Sequence, residues 1–117
     1  MTITKSVTLT FPVNTTQLVG YTVSLYTYYN IYFPNITADS QIGTEIIFIR
    51  SNGASLNTVA SSSGLYIGRQ GTNLIYNLSS GAVQISTGIN YISNTQIYYK
   101  FVAFKTTGGQ YGWLQLN

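Results

Sequence analysis

The segment from Ile97 to Leu116 constrains the fold more than any other part of the chain. Two runs of strand-forming residues, 97–105 and 110–116, flank Gly108-Gly109, a pattern that predicts a β-hairpin. With a loop of two or four residues, each face of the hairpin carries its own set of apolar side chains. One face would hold Tyr99, Phe101, Ala103, Leu114 and Leu116, and the other Val102, Phe104, Tyr111 and Trp113.

A half-buried antiparallel sheet normally has one polar face. Since both faces of this hairpin are apolar, we expect both to be covered. Small Ala103 and Gly112 suit close sheet packing, so their face is assigned to the core of the subunit. The Trp113 face is then assigned to a contact with another chain or with the N-terminal strands.

Further strand patterns recur along the chain. Residues 6–13 alternate apolar and polar side chains, and residues 18–33 and 44–50 form longer extended runs. Asn52-Gly53 is a strong hairpin signal. Weaker strand patterns lie at about 55–60, 64–68, 73–78, 82–86 and 89–93. With turn signals at this spacing and no helical period, the sequence predicts one all-β domain over residues 1–117. We expect an antiparallel, jelly-roll-like β-sandwich.

The composition describes a polar but nearly uncharged surface. Charged residues make up 6% of the chain and hydrophobic residues 44%, whereas about 25% charged residues is usual. Hydroxyl and amide side chains replace the charges, as is common in extracellular or virion-exposed β-proteins. The few basic residues are scattered, so we expect no nucleic-acid binding.

The residues that most often carry chemistry are scarce. The chain has no cysteine and no histidine, which removes disulfides, the commonest zinc ligand and the commonest general base. Asp39 and Glu45 are the only carboxylic side chains, and nothing in the sequence pairs them as a glycosidase requires. We therefore expect no enzyme activity, no cofactor and no bound metal. We also expect neither a signal peptide nor a membrane span, because no apolar run is long enough.

Tyrosines are the most informative side chains. Tyr26, Tyr28 and Tyr32 share one face of the 18–33 stretch with Thr, Ser and Asn residues. Tyrosine combines flat apolar area with a hydroxyl and is favoured at interfaces. The row therefore predicts sugar stacking or contact with a neighbouring chain. A cross-strand ladder that only stabilises the sheet is the alternative, and for Trp113 the alternative is ordinary core burial.

Two short motifs resemble a known class of domain. They are Gly43-Thr44-Glu45-Ile46-Ile47-Phe48-Ile49-Arg50 and the closing Gly112-Trp113-Leu114-Gln115-Leu116. With the Ser/Thr/Asn/Gly-rich middle, they resemble small all-β domains in structural proteins of large DNA viruses and phages, over about residues 43–117. The resemblance implies a capsid-associated or fibre-head module, often trimeric, at the virion or extracellular surface.

The sequence thus predicts a viral structural protein that acts through self-association and surface binding. Its expected partners are copies of itself, first as a homotrimer, or other capsid proteins. The predicted binding or subunit-contact residues are Tyr26, Tyr28, Tyr32, Val102, Phe104, Tyr111 and Trp113. The alternative is a carbohydrate-binding module or lectin, with glycans as the ligands.

Overall fold

The structure, a computed structural model, describes residues 5–11, 16–21, 28–50, 64–68, 73–77, 84–86, 88–91 and 98–116. These ranges contain ten strands and one short 3₁₀ helix, Asp39–Gln41. The strands are β1 (Val7–Thr8), β2 (Thr16–Tyr21), β3 (Tyr28–Tyr32), β4 (Glu45–Arg50), β5 (Gly64–Gly68), β6 (Leu74–Asn77), β7 (Gln84–Ser86), β8 (Gly88–Tyr91), β9 (Tyr98–Lys105) and β10 (Tyr111–Gln115).

Most predicted strands therefore exist close to their expected positions. The strand predicted at about 55–60 and the Asn52-Gly53 turn lie outside the described residues. The N-terminal strand is shorter than the predicted 6–13, although its alternation is present: Leu9 is buried, while Thr8 and Thr10 are exposed.

The strands form two sheets. One has the order β1-β3-β5-β8 and the other the order β2-β4-β9-β10-β6-β7. The all-β, two-sheet prediction is confirmed, but a purely antiparallel arrangement is wrong, because both sheets are mixed. The pairs β1–β3, β3–β5, β2–β4 and β6–β10 are parallel. The jelly-roll strand order stays a prediction.

Three of the four parallel pairs, β1–β3, β3–β5 and β2–β4, follow from the path of the chain. From β1 to β6, successive strands alternate between the two sheets. A strand that returns to its own sheet after one strand in the other sheet runs in its original direction, so it pairs in parallel. The intervening strand serves as the crossover that parallel pairing requires.

Both sheets contribute to one buried cluster. Ile31 and Ile67 enter it from the four-stranded sheet, and Ile46 and Phe101 from the six-stranded sheet. Phe33, directly after β3, lies at its centre. Its ring centroid is 4.9 Å from that of Phe101 and 5.0 Å from that of Trp113. The described elements thus form a sandwich-like fold around a shared aromatic core.

The C-terminal hairpin corrects the predicted assignment of its faces. Thr106 and Gln110 close the turn through a backbone hydrogen bond of 2.8 Å, which leaves residues 107–109 as a three-residue loop. Gly109 has a φ of 86°, the left-handed conformation that such a loop needs at its last position. An odd loop length reverses the facing of one strand relative to a loop of two or four residues. Trp113 therefore pairs with Ala103, and its assignment to the Val102 and Phe104 face is wrong.

Gly112 provides a test of the packing on this sheet. It is buried beneath the rings of Tyr76 and Phe104, whose centroids are 5.1 Å apart. A Cβ at Gly112 would lie 2.9 Å from the carbonyl oxygen of Leu74 and 2.9 Å from the Tyr76 ring. Gly112→Ala should therefore lower the free energy of unfolding by about 1–3 kcal/mol, the usual cost of overpacking, as measured by urea denaturation.

The matched control is Gly108→Ala in the hairpin loop. The nearest atom to a Cβ there is Thr106 Oγ1 at 3.8 Å, so we expect a change within about 0.5 kcal/mol. Equal effects of the two substitutions would contradict the close packing inferred at Gly112.

Candidate interaction surface

The six-stranded sheet has an apolar side that points away from the core, called here the outer face. Its strands bring together side chains that alternate with the buried ones. The outer face comprises Thr16, Leu18, Glu45, Ile47, Ile49, Leu74, Tyr76, Tyr98, Lys100, Val102, Phe104, Leu114 and Leu116. One row crosses five strands, from Thr16 through Glu45, Val102 and Leu114 to Tyr76.

Large apolar side chains on the outer face are exposed. Leu18 is 54% exposed, Ile49 40%, Tyr98 48% and Leu116 44%. Together they expose roughly 400 Å², taking about 200 Å² for a fully exposed large side chain. Ile47, Val102, Phe104 and Leu114 are half-buried beside them. This area is about that of the largest apolar patch on a typical monomer, and such patches are often functional.

One ion pair lies within this apolar surface. Lys100 Nζ is 2.8 Å from Glu45 Oε2, and the Thr16 hydroxyl donates a hydrogen bond of 3.1 Å to Glu45 Oε1. The Lys100 and Thr16 hydrogen bonds hold the pKa of Glu45 below its ordinary value. About a third of each charged side chain remains exposed. The outer face therefore presents one positive and one negative charge, with no net charge.

The predicted contact residues do not form one surface. Val102 and Phe104 lie on the outer face, half-buried. Trp113 is fully buried in the core, where its ring stacks on Phe11 of the N-terminal segment with centroids 6.0 Å apart. Tyr111 lies at the loop end of the hairpin and is half-buried. The contact with N-terminal residues expected for Trp113 is thus present, but within the subunit.

Two members of the tyrosine row, Tyr28 and Tyr32, lie on β3 in the other sheet. Tyr32 is 38% exposed, on the opposite side of β3 from buried Ile31. Tyr28 begins the same strand, four residues before Tyr32, but its side chain is not among those described. Tyr26 lies outside the described residues. A binding role for the row stays a prediction.

Residues of the outer face outside the hairpin were not predicted as contacts. Ile49 and Leu18 are the clearest cases, since both are at least 40% exposed. The sequence contained a signal for Ile49, because Ile46-Ile47-Phe48-Ile49 is an unbroken apolar run. Such a run gives a strand two apolar faces, only one of which the subunit's own core can cover.

A second polar cluster joins the 3₁₀ helix to the hairpin. The Tyr111 hydroxyl donates to Asp39 Oδ1 at 2.6 Å, and Lys105 Nζ lies 3.2 Å from the same oxygen. The Tyr111 hydrogen bond, with that of Lys105, lowers the pKa of Asp39. The hydrogen bond to Asp39 in turn raises the pKa of Tyr111. Asp39 and Glu45 thus take part in separate ion pairs, Asp39 with Lys105 and Glu45 with Lys100.

The Asp39 cluster predicts a pH dependence of stability. Because the pKa of Asp39 is lower in the folded state, its contribution is present above its unfolded pKa and is lost as the pH falls through the folded value. The thermal midpoint of the wild type should therefore fall more steeply than that of Asp39→Asn between about pH 5 and pH 2. Identical pH profiles would show that the cluster contributes nothing to stability.

Comparisons with known proteins give no relative for this chain. No protein family matches it, and no similar curated protein or solved structure was found. In the described part of the chain, no helix has the length and apolarity needed to cross a membrane.

Proposed function

We propose that this protein is a structural module of a virion, capsid-associated or at a fibre head, that acts by self-association and surface binding. The observation that supports the proposal is the outer face. Large apolar side chains stay exposed there on regular, paired strands. A sheet face of this kind gains free energy when another protein surface covers it.

The character of the outer face favours assembly over catalysis. Apart from the tyrosine hydroxyls, its polar groups are Thr16, Glu45 and Lys100, and both Thr16 and Lys100 already bond to Glu45. The remaining side chains offer area and shape. Rigid neighbouring strands hold that shape before binding, which reduces the entropy lost on association. The proposed mechanism is therefore surface complementarity, with no reaction step.

Light scattering on two matched variants tests this proposal. Ile49 and Ile42 are both isoleucines that are 40% exposed, but Ile49 lies on the outer face and Ile42 follows the 3₁₀ helix. We expect the wild type to have a mass above the 12.9 kDa of one chain. Ile49→Gln should shift it towards the monomer, and Ile42→Gln should behave like the wild type. Equal effects of the two substitutions would contradict a role for the outer face.

Two further measurements distinguish a virion component from a carbohydrate-binding module. Co-purification with assembled particles would support the virion assignment. A glycan-array signal that free sugar competes away would instead favour a carbohydrate-binding module. The jelly-roll strand order is proposed from the resemblance with viral domains. The resemblance also implies a homotrimer, which the outer face does not by itself produce, and the mass of the wild type decides between a trimer and a dimer.

A further inference from the structure

We infer that the outer face pairs with the outer face of a second copy across a two-fold axis, so that Glu45 of each copy meets Lys100 of the other. The inference rests on the proposed self-association and specifies its partner and symmetry.

The binding of the outer face to an identical outer face determines the symmetry of the assembly. Two sheets pack well when their faces lie about 10 Å apart with side chains interdigitated. A surface that binds an identical surface forms an isologous interface, which a two-fold axis generates. A cyclic trimer requires two different complementary surfaces on each subunit. The outer face alone therefore accounts for a dimer and not for a cyclic trimer.

The charges of the outer face fit a second copy. The whole chain carries a formal net charge of +3, yet Glu45 and Lys100 make this face neutral. An acidic or basic partner would leave one of these two charges facing a like charge. A second copy, rotated by the two-fold axis, sets Lys100 against Glu45 and Glu45 against Lys100. Four alternating charges then fix the relative position of the two sheets, because like-charge contacts in other registers are unfavourable.

The size of the outer face lies at the lower end of what a dimer interface uses. Six strands spaced about 4.8 Å apart span about 24 Å, and strands of this length run about 20 Å. The face therefore covers about 500 Å² in projection, and its corrugated accessible surface is larger. Each partner contributes roughly 800 Å² to a standard stable interface.

Charge-reversal variants at Glu45 and Lys100 test the inference. In Glu45→Lys, a homodimer would bring four positive charges together, and in Lys100→Glu four negative charges. We expect each variant alone to self-associate about tenfold more weakly than the wild type or worse. An equimolar mixture should recover wild-type association by forming the mixed dimer, as seen by sedimentation velocity. Far-ultraviolet circular dichroism verifies that each variant is folded.

The double variant Glu45→Lys/Lys100→Glu covers the case in which a single variant fails to fold. It retains the ion pair within the subunit with reversed orientation. It should dimerise with itself as the wild type does, but it should not form mixed dimers with the wild type, since both contacts would then join like charges.

Different results overturn different statements. The reciprocal ion pairs are overturned if the double variant forms mixed dimers with the wild type. They are also overturned if mixing the two single variants does not restore association. Either result leaves self-association intact. A wild-type mass of three subunits overturns the two-fold axis. A wild type that is monomeric at every concentration overturns the proposed function itself.

Discussion

Trp113→Ala is expected to cause the largest loss of stability. The Trp113 side chain is fully buried, and its ring lies against Phe33 in the shared core. Its indole N–H donates a hydrogen bond of 3.1 Å to the Pro34 carbonyl. Truncation of a buried Trp costs about 3–5 kcal/mol, a large part of the 5–15 kcal/mol that a domain usually has. Urea denaturation followed by circular dichroism measures the loss.

Trp113→Phe separates the two contributions of the side chain. It keeps an aromatic ring in the core but leaves the buried Pro34 carbonyl without its donor, at a cost of about 1–3 kcal/mol. We therefore expect an intermediate stability. If Trp113→Ala instead kept the wild-type unfolding curve and released subunits from an assembly, Trp113 would belong to the interface and not to the core.

Asn73→Leu is expected to have the second largest effect. Asn73 is 2% exposed, and its side chain bonds both backbone groups of Ile36. The Ile36 N–H donates to Asn73 Oδ1 at 2.6 Å, and Asn73 Nδ2 donates to the Ile36 carbonyl at 3.4 Å. Leucine has the same branched shape but satisfies neither group. At about 1–3 kcal/mol for each buried polar group left unsatisfied, the two groups cost about 2–6 kcal/mol in the free energy of unfolding, and part of this is offset because leucine buries no polar group of its own.

The control is an asparagine-to-leucine substitution at Asn35, the residue before Ile36. Asn35 is exposed, so Asn35→Leu should change stability by no more than about 0.5 kcal/mol. A thermal or urea melt that shifts equally for both variants would show that the bonds between Asn73 and Ile36 do not hold this segment in place.

Strand positions could be predicted from the sequence because the alternation of apolar residues is a local property. The run that contains Ile46 and Phe48 predicted β4 almost to its ends. The pairing of strands could not be predicted in the same way. Side chains alternate with the same period in parallel and antiparallel strands, so the pattern does not distinguish the parallel β2–β4 pair from an antiparallel one.

The error in the hairpin has a single physical cause. Gly108-Gly109 marks the turn correctly but does not give the number of residues in the loop. A change of one residue in the length of the loop places every side chain of a strand on the opposite face. Trp113 therefore lies in the core and not on the expected interface. Asn73 was missed for a related reason. An asparagine before a strand is usual in turns, and only the fold shows that it faces Ile36.

The most direct test of the proposed self-association is sedimentation equilibrium of the unmodified chain on dilution, with the fluorescence of Trp113 recorded at each concentration. Trp113 is the only tryptophan, and its fully buried position does not depend on the outer face. We expect the mass to fall from a multiple of 12.9 kDa towards 12.9 kDa while the emission stays at short wavelength. A mass of one chain at every concentration, or a red shift of the emission as the subunits separate, would contradict self-association through the outer face.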